Sequence, residues 1–166
     1  MNHSGSVMKT LQSIGAASVL AAGFGLTLTA CVTHEERSRQ AIEHFKQSTA
    51  GQYHSASGAE LIIVPVRARM VTDEAVYVER TDANGTFGRL VNIELAADGV
   101  KILQRALAFT QEGQWRNLRE TPELFTALLP KDVRPAGTCD IEPAADMNSV
   151  SYSCGGSPPE IFVRKQ

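Results

Sequence analysis

Tyr77, Glu79 and Arg89 are the residues best placed to do chemistry, because each is a polar side chain set into apolar alternation. Along Phe87, Arg89, Val91, Ile93 and Leu95 every second position is apolar except Arg89, so this guanidinium points to the core face of a strand. An unpaired guanidinium there is costly, and either a carboxylate such as Glu79 on the preceding strand or a ligand anion should meet it. Glu79 shares a face with Tyr77, opposite Val76 and Val78. Two readings follow. Arg89 and Glu79 form a structural pair, or Arg89 reaches solvent at a rim; alternatively Tyr77, Glu79 and Arg89 line a site for a small apolar or anionic ligand.

Other chemistries find little support. His34 and His44 are ten residues apart, not the three or four of a helical metal pair, and His54 and His3 add no ligand spacing. Ser55, Ser57 and Ser149 stand in no Gly-x-Ser-x-Gly elbow, and no phosphate loop occurs. No catalytic residue, metal or cofactor is therefore assigned. The 16 basic and 18 acidic residues give a net charge of −2, and the arginines and lysines are scattered singly, which argues against nucleic acid and against a polybasic membrane patch. Trp115, the single tryptophan, reads as core or rim packing.

The chain opens with Lys9 and a largely apolar run from Leu11 to Leu28, ending in Leu28-Thr29-Ala30-Cys31. This order is that of an export signal. Leu-Thr-Ala-Cys resembles the lipobox of bacterial lipoprotein precursors, which implies cleavage before Cys31 and acylation of its thiol. The expected division is a signal peptide over residues 1–30, an anchor and N-terminal helix over 31–50, and a single domain over 51–166. The expected location is the cell envelope; Val32 after the cysteine implies, by the same resemblance, the outer membrane facing the periplasm. The competing readings are cleavage after Ala30 without lipid and a transmembrane helix from Leu11 to Val32. Gly15, Gly23 and Gly25 and the lack of a following cationic cluster weaken the latter. With Cys31 assigned to lipid, Cys139 and Cys154 remain, and export through an oxidising compartment favours their disulfide over two buried thiols. Closing a loop of about 15 residues contributes roughly 3 kcal/mol.

These residues must be held by elements that the pattern also indicates. Thr33 as N-cap with Glu35 and Glu36 in the first turn starts a helix whose stripe is Ala41, Ile42 and Phe45. Ala50 to Ala59 reads as a polar loop. From Glu60 the period becomes two, with turns at Asn84-Gly85, Asp98-Gly99 and Glu112-Gly113. Strands are expected at Leu61 to Val71, Ala75 to Thr81, Thr86 to Leu95, Val100 to Thr110 and Gln114 to Leu118. A short helix follows near 121–129, capped by Thr121, and two brief strands lie at Val150 to Cys154 and Glu160 to Arg164. The fold class is mainly β, an antiparallel meander that closes into a small barrel.

Several motifs in this order resemble the CpcT/CpeT-type phycobiliprotein chromophore lyases and their lipoprotein relatives. They are Gly51-Gln52-Tyr53, Val76-Tyr77-Val78-Glu79, Glu123-Leu124-Phe125 through Leu129-Pro130-Lys131-Asp132-Val133, Gly137-Thr138-Cys139-Asp140-Ile141 as a turn, and Cys154. The resemblance implies a calycin or lipocalin-like barrel, with Glu79 and Arg89 near its pocket, and a lyase activity joining a linear tetrapyrrole to a protein cysteine. Where such lyases carry a Pro-Tyr-Arg-Gln-Arg-like stretch, this chain has Thr86-Phe87-Gly88-Arg89-Leu90-Val91. It also ends a dozen residues past Cys154, so a barrel with fewer strands or one open side is the alternative. The functions to be weighed are binding of a small ligand, bilin lyase activity, and a structural envelope role with a protein partner.

Overall fold

Strand alternation and short hairpin turns carry the chain through eight antiparallel strands, each paired with its sequence neighbours, and β1 returns to β8 to close the barrel. The computed structural model describes residues 33–111 and 118–166. In chain order the strands are β1 (Gly51–Ser55), β2 (Glu60–Ala68), β3 (Thr72–Asp82), β4 (Gly85–Leu95), β5 (Ile102–Phe109), β6 (Val133–Pro143), β7 (Ser149–Cys154) and β8 (Glu160–Arg164). A helix, α1 (His34–Thr49), precedes them.

The helix begins where its cap dictates. Thr33 is extended, and its side-chain oxygen accepts from the Glu36 N–H. Ile42 and Phe45 are the buried apolar residues of α1, and both join the interior cluster of the barrel, so the helix closes one end. At that end lie the β2–β3, β4–β5 and β6–β7 turns, because alternate hairpins of an up-and-down barrel share an end. The start of α1 is placed there too, since a Cβ at Gly99 would lie 3.4 Å from His34 Nε2.

Barrel closure is reinforced by one side chain from β8. Arg164 donates from Nη1 to the Ala50 carbonyl at 2.6 Å and from Nη2 to the Ser48 carbonyl and the Tyr53 hydroxyl at 3.0 and 2.8 Å. A cation thus meets orphan carbonyls at the end of α1, where the helix dipole favours positive charge. Past Arg105 and Thr138, where the β5–β6 pairing ends, the Gln104 side chain joins the two strands, donating to the Ile141 carbonyl and accepting from the Ile141 N–H at 3.1 and 2.9 Å.

The interior is built from Tyr53, Leu61, Ile63, Val76, Val78, Val91, Ile93, Ile141 and Phe162, all buried. A second apolar cluster lies on the outer face, where Val66, Ala75, Tyr77, Leu90 and Phe109 meet Phe125 and Leu128 from the connection between β5 and β6. Consequently β3 is buried on both faces from Ala75 to Glu79.

Several expectations change. The polar loop at 50–59 contains β1, whose pairing with both β2 and β8 completes the closure. The turn expected at Gly137 to Ile141 is part of β6, an eleven-residue strand. The helix near 121–129 is a 3-10 helix, Pro122–Ala127, and Thr121 makes no side-chain cap. The strand from Gln114, the Glu112-Gly113 turn and Trp115 lie outside the described residues, and Leu118 opens a 3-10 helix, Leu118–Glu120. Residues 1–32, with the export signal and Cys31, also lie outside them. The barrel is closed rather than open on a side. No helix among the described residues is long and apolar enough to cross a membrane.

Candidate functional site at the barrel mouth

The end opposite α1 is a mouth formed by the last turn of β3, the first of β4 and the last of β7. Alternation places Arg80 and Asp82 on the same face as Val76 and Val78, and Phe87 and Arg89 on the same face as Val91 and Ile93. Together with Tyr152 and the β7–β8 turn these residues line a cleft of about 270 Å³. Cys154 belongs to its wall, and it pairs directly with Cys139 across β6 and β7 in the expected disulfide.

Arg80 organises the charge at this end. Its Nη2 lies 3.1 Å from Glu160 Oε2 and its Nε 3.2 Å from Asp82 Oδ2, while the guanidinium sits 5.9 Å from the centre of the Phe162 ring. The Nε–H is buried, yet it finds no aligned hydrogen-bond acceptor among the described residues. Glu160 is held in turn by Ser57, whose hydroxyl donates at 2.6 Å and lies 2.8 Å from the Ser55 hydroxyl. Those hydroxyls, with Arg80, hold the Glu160 carboxyl below the ordinary glutamate value. Tyr152 shows the opposite balance. Burial pushes its phenol up, and the nearby positive charges of Arg80 and Arg89 only partly offset that. Arg89 itself donates from Nη1 to the Gly88 carbonyl at 2.7 Å.

The three residues singled out in the sequence are not brought together. Arg89 faces the mouth as its alternation required, but its cross-strand partner is Val78, and Glu79 stands opposite Gly88. Glu79 and Tyr77 therefore occupy the outer face. There the Tyr77 hydroxyl donates to Glu79 Oε2 at 2.9 Å and Arg119 Nη1 donates to Glu79 Oε1 at 2.9 Å. Glu79 is 6% exposed, so this arginine and phenol satisfy a carboxylate that burial would otherwise penalise. The Tyr77 ring stacks obliquely on Phe125 at 5.1 Å, and burial followed by the bond to Glu79 pushes its phenol strongly upward. The Tyr77, Glu79 and Arg119 group thus pins the 118–132 connection to the barrel wall.

Arg80, Asp82, Tyr152 and Glu160 were not foreseen. A signal for Arg80 was present, because Val76, Val78 and Arg80 alternate on one face, and a charge at the end of such a run belongs to a rim. Tyr152 and Glu160 come from strands distant in sequence and carry no comparable local mark. Comparison with family models, curated proteins and solved structures found no match to this chain.

Proposed function

We propose that this protein binds a compact, acceptor-bearing ligand, anionic with an apolar body, in the mouth of its barrel. The observation that carries the reading is the cleft itself, where the guanidinium-bearing Arg80 and Arg89 stand beside the rings of Phe87 and Tyr152. Guanidiniums recognise anions and the two rings offer an apolar wall, so this lining suits an anion carried on an apolar body. At about 270 Å³ the cleft falls just below the roughly 300–1,000 Å³ of sites for drug-sized ligands, which favours a smaller one. Asp82 and Glu160 lie against Arg80, and Arg80 and Arg89 both line the cleft that an anionic group would enter.

The remaining parts of the reading rest on sequence. Export, cleavage before Cys31 and an acyl anchor in the outer membrane follow from the lipobox resemblance. A barrel related to the CpcT/CpeT-type lyases follows from the ordered motifs, and the closed calycin-like architecture supports it at the level of fold alone. No observation favours tetrapyrrole transfer over simple binding.

Titration with 2-naphthoate, an anion on an apolar body, tests the site. Saturable binding is expected, with Arg89→Ala weakening it about tenfold, the equivalent of about 1.4 kcal/mol. The neutral analogue 2-naphthalenemethanol should bind the native protein about as weakly. Absence of saturable binding, or equal affinity for both compounds, would overturn the assignment.

A further inference from the structure

The two ends of the barrel differ in what their turns expose. At the end closed by α1 each hairpin turn presents one large apolar side chain to solvent: Met70 between β2 and β3 (61% exposed), Val100 between β4 and β5 (83%) and Met147 between β6 and β7 (51%). The described hairpin turns at the mouth, Ser55 to Glu60, Asp82 to Gly85 and Cys154 to Glu160, hold small, polar and proline residues instead. None of these three tips joins a core cluster.

Two of the tips have an exposed cation beside them, and the third is held by a guanidinium already spent inside the fold. Arg69 precedes Met70, Lys101 follows Val100, and Arg164 donates from Nε to the Met147 carbonyl at 2.9 Å. Asp73 beside the first of these turns is exposed, while other acidic residues there are turned to local work. Asp98 accepts from the N–H groups of Val100 and Lys101, Asp146 from that of Asn148, and Glu74 pairs with Lys46 at 2.9 Å. On α1 the exposed Glu35, Glu36 and Glu43 stand with Arg37 and Arg39, and Lys46, 13% exposed, is shared between Glu43 and Glu74. Finally, the described chain begins at this end, at Thr33, two residues beyond the cysteine of the lipobox.

We propose that the end closed by α1 is a membrane-docking surface, on which Met70, Val100 and Met147 enter the headgroup and acyl boundary of a phospholipid bilayer while Arg69 and Lys101 face lipid phosphates. Apolar tips flanked by cations suit that boundary, where the apolar groups leave water and the charges stay with the headgroups. The proposal rests on the lipoprotein reading for its choice of a bilayer over a protein surface. It orients the mouth away from the membrane, open to the surrounding medium.

The test uses the full chain purified from membranes and reconstituted in vesicles of phosphatidylethanolamine and phosphatidylglycerol carrying brominated acyl chains. In a Trp115→Phe background, single probes are introduced as Met70→Trp, Val100→Trp and Met147→Trp, with Asn84→Trp at the mouth as the control. Bromine quenching of the three tip probes and none of the control is expected, and Met70→Ser/Val100→Ser/Met147→Ser should lower vesicle co-sedimentation. Mass spectrometry of the peptide containing Cys31 reports the acyl group separately. Quenching at the tips without an acyl group would support the docking surface and overturn the anchor. An acylated chain whose tips are unquenched, or quenched no more than the control, would overturn the docking surface and leave the anchor standing. Tips protected in native membranes but not by lipid alone would overturn it in favour of a protein partner.

Discussion

The charge of Glu160 is fixed by neighbours that exist only in the folded barrel: the Ser57 hydroxyl at 2.6 Å and the Arg80 guanidinium at 3.1 Å. Its carboxyl therefore ionises below the ordinary glutamate value of 4.5, with the serine bonds the largest cause. A carboxyl depressed by folding adds stability at pH values above its unfolded pKa, and that contribution disappears as pH falls through the folded one. Urea denaturation at pH 6 and pH 3 (roughly either side of the carboxylate range) should show native protein losing more stability on acidification than Glu160→Gln. Parallel losses would show that Ser57 and Arg80 do not tune this group. The same residue scale explains the misplaced partner of Arg89. A side chain's face was readable from alternation, whereas the identity of its neighbour depended on register.

That register belongs to the element scale, and the β3–β4 hairpin illustrates it. The Asn84-Gly85 turn sets Asp82 opposite Gly85, and counting back puts Arg80 opposite Phe87 and Val78 opposite Arg89. Turn and strands were visible in the sequence, so the register was recoverable from them. Burial of β3 on both faces was not, because its outer cover comes from Phe125 and Leu128, far along the chain. Strand β6 was hidden for another reason. Its alternation is broken by Pro135 and Gly137 and most of its outward residues are polar, so only its pairing with β5 and β7 reveals it. Gly88 marks how tightly the outer cover fits: an added Cβ would meet the Tyr77 hydroxyl at 2.7 Å. Gly88→Ala should cost about 1–3 kcal/mol in denaturant unfolding, and less when added to Tyr77→Phe, which removes the obstructing oxygen. Strictly additive losses would contradict that contact.

At the scale of the molecule, eight strands closed on themselves leave two ends, and α1 occupies one of them. The meander was legible because its strands alternate and its turns carry Asn-Gly and Asp-Gly. Closure into a barrel was read from the same meander, but the strand that makes it was not, since β1 is short and lies in a stretch rich in glycine and serine. Closure is what converts Arg80 and Arg89 from strand residues into the wall of a common mouth, with Tyr152 brought in from β7. The central claim is that this mouth, and neither the α1 end nor the outer face around Tyr77, receives a ligand. Mapping backbone amide shifts in isotope-labelled protein during 2-naphthoate titration tests it most directly. Saturable shifts centred on Arg80, Arg89, Tyr152 and Gly155 are expected; shifts centred on α1 or on Tyr77 and Glu79, or none that saturate, would contradict it.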